Sequence, residues 1–348
     1  MNILYCGLKF DYGNKNMGFS FEHLNFYNSL IKMTKVNKVD YICIDEIILQ
    51  NSKEFLNEAI INKAKKNKYD FIFFFLFKDE IFKSTLARLN KEIGVPTIAW
   101  MADDHWRFET YSKYWAKYFT LVVTTDEAAI EKYKQNKIDN VILSQWACNH
   151  FDYKPQKKNI KYDVTFVGMS YGNRKKKINY LNKRNQIICW GQGWENNKLP
   201  FQKMVEVYSN SIINLNFSES SNQKNFKSFV KIFLSKTYNE KFKINDIGLT
   251  FQNFKNFFLI SRNQIKGRVF EVPGCEGFLL TEYSPNLENY FELDKEIVSF
   301  HSLEEANDKI KFYKNNTKEA NKIAKFGYQK VLNEHTYEKR FLDIFKKI

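Results

Sequence analysis

The run FIFFFLF, Phe71 to Phe77, constrains this chain more than any other stretch. It is far shorter than the roughly 20 residues needed to cross a bilayer. It also lacks the polar alternation that would let one face meet water. A strand apolar on both faces belongs in a parallel sheet covered by helices on either side. Further short apolar runs share its half of the chain: NILYCGL, VDYICI, VPTIAWM, LVVTT and NVILSQ. Segments with helical spacing separate them, among them FSFEHLNFYNSLIKM, KEFLNEAIINKAKK and DEIFKSTLARLNKEI. The first of these is predicted to gather Phe21, Leu24, Tyr27, Leu30 and Ile31 on one face. The repeated β-α-β pattern predicts a doubly wound parallel sheet.

The rhythm restarts after the polar segment YKPQKKNIK, Tyr153 to Lys161. YDVTFVGM opens a second series, continued by QIICWG, SIINLNF and GFLLTE. The expected class is therefore α/β, with two Rossmann-like domains at 1–155 and 156–335. A closing helix, 336–348, is expected to pack back toward the first domain. Ligands of such sheets bind at the carboxyl ends of the strands, so a cleft between the two sheets is the expected site. Residues 219–263 break the rhythm and read as an insertion, basic and rich in phenylalanine. Within it Phe226, Phe229, Val230, Phe233 and Leu234 recur at helical spacing, with Lys224, Lys227, Lys231 and Lys236 around them. Such a helix suits the surface of an anionic membrane; it equally suits packing on its own domain or on another copy.

Charge and cysteine content narrow the function classes. The net charge is +15, but the lysines are spread along the whole chain. No nucleic-acid partner is expected, and attraction to an anionic lipid or substrate is the better reading. Cys6, Cys43, Cys148, Cys189 and Cys275 are odd in number, widely spaced and without a CxxC pair. Neither a disulfide framework nor a zinc site is expected. The opening MNILYCGLKFDYG has no signal-peptide pattern. A cytoplasmic location is expected, with peripheral contact at the inner face of the membrane.

The run QIKGRVFEVPGCEGFLLTEY, Gln264 to Tyr283, puts cations, glutamates and tight glycine backbone into one helix-turn-strand unit. From Lys266 to Arg340 the chain resembles the group 1 glycosyltransferases of the GT-B fold, relatives of family four, and is most similar to their spore-maturation-type branch. KGRVFEVPGCEGFLLTEYSPNLENYF looks like that branch's donor motif, and EIVSFHSLEEANDKIKFY and GYQKVLNEHTYEKRF like its continuation. YDVTFVGMSYGNR and DYGNKNMGFSFEHLNFYNSL look like the opening loops of the donor and acceptor domains.

The resemblance implies a nucleotide-sugar donor and a glycan, lipid-linked or protein acceptor, with retention of anomeric configuration. Lys266 and Arg268 would meet the diphosphate, Arg268 as a bidentate fork, aided by the start of the following helix. Glu271 stands where the family's second glutamate of Glu-x7-Glu accepts the ribose hydroxyls. Gly277 and Phe278 complete that motif. The first glutamate of the pair is replaced by Asn263, a departure that touches the sugar contact. Gly168, Asn173 and Arg174 in GMSYGNR, and Gly191 in WGQGW, are the other donor-side candidates. On the acceptor side, Asp103, Asp104 and His105 follow a buried strand and would orient or deprotonate an acceptor hydroxyl. Trp106, Gly13, Asn14 and Gly18 belong to the same side.

Each group has a plainer reading. The charges of 266–282 fit an internal salt-bridge cluster, GMSYGNR a tight turn, WGQGW core packing, and ADDHW a helix cap. No D-x-D motif is present in a strand-end loop of the donor domain, so neither metal nor cofactor is expected. A dinucleotide-dependent oxidoreductase is disfavoured by the lack of G-x-G-x-x-G after either first strand. A non-catalytic GT-B protein that binds a glycan or partner is the nearer alternative. Sugar, base and oligomeric state are left open by the sequence.

Overall fold

A computed structural model describes residues 1–220, 226–236, 242–259 and 262–348. The chain divides into two compact units, one of residues 1–145 with 337–348 and one of residues 146–336.

The first unit is built on six strands: β1 (Asn2–Gly7), β2 (Lys38–Cys43), β3 (Phe71–Phe75), β4 (Thr97–Met101), β5 (Leu121–Thr124) and β6 (Val141–Leu143). Their order is β2-β1-β3-β4-β5-β6, and every pairing is parallel. All five residues of β3 are buried, as an apolar run without alternation requires. Successive side chains point to opposite faces, so β3 feeds two cores. Ile72 and Phe74 join Leu4, Cys6, Ala99 and Val122 on one face. On the other, Phe73 lies 5.5 Å from Phe341, and Phe71 lies 4.4 Å from Phe345. The chain's last helix, Tyr337–Phe345, thus covers this face of the first unit's sheet.

The helical segment after β1 differs from its predicted face. Asn25, Phe26, Ser29 and Leu30 are buried, whereas Phe21, Leu24 and Tyr27 are half-buried and Ile31 is exposed. A π turn at His23–Tyr27 widens the helix there and shifts the register of its faces. Phe26 becomes the hub, its ring 4.8 Å from Trp100 and 5.3 Å from Phe341.

The second unit carries β7 (Tyr162–Val167), β8 (Ile187–Trp190), β9 (Ser211–Asn216), β10 (Leu234–Lys236), β11 (Phe242–Ile244), β12 (Leu279–Glu282) and β13 (Val298–Phe300). Five of these form a parallel sheet in the order β13-β12-β9-β7-β8. β10 and β11 pair antiparallel, apart from that sheet and between the helices Phe226–Phe233 and Ile247–Leu259. The unit begins before the polar segment after which a boundary near 155 was expected. Cys148 and Tyr153 are buried in a cluster with Val269, Phe270 and Leu279, which ties them to this unit.

Candidate functional site

The carboxyl end of β7 is built around two glycines and an arginine. Gly168 follows the strand directly, and a methyl group on it would sit 2.2 Å from the Nη1 of Arg268. Gly191 follows β8, and a methyl group there would sit 2.3 Å from the Gly168 carbonyl oxygen. Its φ of +133° also favours glycine. The Trp194 indole donates to that same carbonyl at 2.7 Å. Arg268 opens the helix Arg268–Gly274, donates from Nη1 to the Val167 carbonyl, and lies over the Phe166 ring at 5.5 Å. The sequence thus brings Gly168, Gly191 and Arg268 into one stack, with the guanidinium half-buried at the strand end. Lys266, also half-buried, donates to Gln264 at 2.9 Å.

Other donor-side candidates stand elsewhere. Arg174 is completely buried. Its guanidinium donates to the Met169 carbonyl at 3.0 Å, the Tyr171 hydroxyl at 2.7 Å and the Phe217 carbonyl at 3.2 Å. Burial first, then the charge of Arg268, lowers its pKa to about 10. Arg174 therefore ties the loop after β7 to the end of β9. Asn173 is exposed at the start of the helix Arg174–Leu181, and its side chain makes no capping bond. Gly277 and Phe278 are core residues. A methyl group on Gly277 would meet the Tyr208 carbonyl oxygen at 2.5 Å, and the Phe278 ring packs 4.5 Å from Tyr313. They lead into β12, whose apolar side chains are drawn into the sheet's own packing. Glu271 is almost wholly buried and accepts the Tyr153 hydroxyl at 3.0 Å. Burial, and then this carboxylate, raises the pKa values of Tyr153 and Tyr208.

An ionic cluster that sequence reasoning did not single out lies at the ends of β9 and β12. Lys177 donates to Glu282 at 2.6 Å and pairs with Glu219 at 2.8 Å. The second oxygen of Glu282 accepts the Ser218 amide at 3.1 Å. The second oxygen of Glu219 is buried and has no hydrogen-bond partner. Asn263, where the resembling family carries glutamate, donates to the Tyr283 carbonyl at 3.0 Å, and the next amide, of Gln264, donates to Ser218. Sequence gave no local signal for this cluster, because its members come from three separate segments.

In the first unit, residues Asp103 to Trp106, shortly after β4, divide by burial. Asp103 stands just before the short helix Asp104–Arg107 with a left-handed φ of 61°, and its side chain is half-buried. Asp104 has no exposed surface. It accepts from the Ser112 hydroxyl, from Thr124 at 2.6 Å and from Tyr133 at 2.9 Å. Burial still outweighs these bonds and raises its pKa to about 6. Asp104, expected among the catalytic groups, is thus held by three hydroxyl donors from its own unit and braces the loop. His105 is buried, and Trp106 is half-buried with Arg107 5.9 Å from its ring.

The loop after β1 is braced from within the same unit. The Asp45 carboxylate accepts the amides of Lys9 and Phe10, each at 2.9 Å. Gly13 and Gly18 have φ values of +70° and +74°, and the Asn14 side chain accepts the Asn16 amide at 3.0 Å.

The architecture is that of the GT-B fold, and solved structures of that fold match it end to end. Sucrose-phosphate synthase from Thermosynechococcus elongatus superposes with a TM-score of 0.61 at 9% identity, covering 99% of this chain and 97% of that one. HepE of Anabaena, solved in complex with UDP-glucose, gives 0.59 at 10% identity with full coverage of both chains. A glycosyltransferase from Rickettsia africae gives 0.59 at 10% identity, covering 99% and 98%. At these identities the likeness is one of fold. Residues 174–346 also match a family model described as glycosyl transferase-like. No curated protein matches this sequence.

Proposed function

We propose that the chain transfers a sugar from a nucleotide-sugar donor to a glycan, lipid-linked or protein acceptor, with retention of configuration. The observation that carries this reading is the packing of the Arg268 guanidinium against Gly168 at the carboxyl end of β7. It puts a cation at the strand end of a parallel sheet, where ligands of such sheets bind. The solved HepE complex of the same fold holds UDP-glucose, which supports a sugar nucleotide as the ligand. Arg268, with Lys266 beside it in sequence, would neutralise the diphosphate, and charge neutralisation of the leaving group is the main chemical need of the reaction. Glu271, one helical turn beyond Arg268, would accept a ribose hydroxyl of the donor. In the first unit, Asp103 is the carboxylate left to orient or deprotonate an acceptor hydroxyl, since Asp104 is committed to its three hydroxyl donors.

The test is a panel of UDP-, GDP-, dTDP- and CMP-sugars assayed for release of free nucleotide. Release from one member, abolished in Arg268→Ala, is the expected outcome. Binding of a sugar nucleotide without turnover across a range of acceptors would favour a glycan-binding protein. Failure to bind any member would overturn the reading.

A further inference from the structure

The two helices between β9 and the Arg268–Gly274 helix carry their bulkiest apolar side chains on the outside. In the helix Phe226–Phe233 the buried positions are Ser228 and Ile232, one turn apart. The Asn245 side chain fastens this helix by donating to the Lys231 and Ile232 carbonyls at 3.3 and 3.0 Å. Phe226, Phe229 and Phe233, at i, i+3 and i+7, form a different side and are exposed, Phe226 by 80%. In the helix Ile247–Leu259, Ile247, Phe251, Phe254 and Phe258 recur at i, i+4, i+7 and i+11 and are exposed, Ile247 by 90%. Of the lysines that the sequence places around the first helix, Lys231 is exposed; Lys224 lies outside the described residues, and Lys227 and Lys236 are described in their backbone.

Two exposed apolar stripes on adjacent helices call for a cover. Charge decides which cover fits. Residues 219–263 contain seven lysines and one arginine against Glu219, Glu240 and Asp246, a net charge of +5, in a chain of +15. A second copy would bring like charge to this face. An anionic bilayer brings opposite charge at its headgroups and an apolar layer beneath them. No described helix is long and apolar enough to cross a membrane, which leaves the surface plane. We propose that these two helices lie in the headgroup region of an anionic bilayer, with the phenylalanine stripes inserted and the lysines among the phosphates. The inference stands on exposure and charge and on no step of sugar transfer.

Co-sedimentation with phosphatidylcholine vesicles, with and without phosphatidylglycerol, tests it. The expected result is binding that requires phosphatidylglycerol and weakens with added salt. Phe226→Glu and Ile247→Glu alter nearly free side chains and should leave the fold intact, with an unchanged unfolding transition as the control. Combined, they should lower vesicle binding by about tenfold or more. Absence of binding to anionic vesicles at low salt, or equal binding by the double variant, would overturn the proposal. So would a wild-type dimer in light scattering that the same substitutions dissociate, because the cover would then be a second copy. Vesicle binding without sugar-nucleotide binding would refute the proposed reaction and leave the docking surface standing; the reverse would refute the surface alone.

Discussion

Burial drives the Asp104 carboxyl up to about 6 even though three hydroxyls donate to it. A folded-state pKa above the unfolded value of 3.8 means the native state binds the proton more tightly. Stability is then lost as pH rises from about 4 through about 6 and is flat above. The loss attributable to this group is about 3 kcal/mol. Asp104→Asn keeps an acceptor for the hydroxyls and removes the titration. Denaturant unfolding of both proteins from pH 4 to pH 7 should therefore show the variant gaining on the wild type as pH rises. A constant difference between them would exclude this account of Asp104. The glycines make a second contrast at the residue scale. Gly277→Ala would press a methyl group onto the Tyr208 backbone oxygen, which cannot easily retreat, at a cost of roughly 1–3 kcal/mol in stability. Gly168→Ala presses mainly on the end of the Arg268 side chain, which can swing away. Its expected signature is weak nucleotide binding in a protein of near-normal stability, read by thermal unfolding beside a binding titration.

Among elements, the ionic cluster of the second unit shows what a linear reading misses. Lys177 sits on the helix Arg174–Leu181, Glu219 beyond β9 and Glu282 at the end of β12, and parallel pairing brings the three strand ends together. Lys177→Met would leave two largely buried carboxylates without their cation. The expected cost is about 3 kcal/mol in chemical denaturation, recovered in part by adding Glu219→Gln and Glu282→Gln. No recovery in the triple variant would mean that Lys177 matters through packing instead. The strands themselves were legible, because runs such as Phe71–Phe75 and Val164–Val167 are mainly apolar and short between helical patterns. So were the strand-loop-helix patterns around Gly168 and, separately, around Arg268. The burial of Arg174, Gly277 and Phe278 was not: sequence shows a charge, a glycine or a ring, while its packing follows from the folded sheet. The face of the helix after β1 escaped for another reason, since a π turn breaks the 3.6-residue period on which the reading depends.

At the scale of the molecule, the chain's end returns to its beginning. Phe341 meets Phe26 and Phe73 edge-on, so one face of the first unit's sheet is covered by residues 337–348. Phe341→Ala should cost about 3–5 kcal/mol, seen as early melting, while the sugar nucleotide still binds in the second unit. Equal loss of stability and nucleotide affinity would mean that the two units do not divide the work in this way. The proposed role of Arg268, set against Gly168, is to hold the donor's diphosphate. Calorimetric titration of the preferred sugar nucleotide into the wild type, Gly168→Ala, Arg268→Ala and the double variant tests it most directly. Removing a charged hydrogen bond should weaken binding by roughly ten- to a hundredfold. Each single variant should lose affinity, and the double variant should be no weaker than Arg268→Ala, since Gly168 would act through the guanidinium. Wild-type affinity in folded Arg268→Ala, or fully additive losses in the double variant, would contradict it.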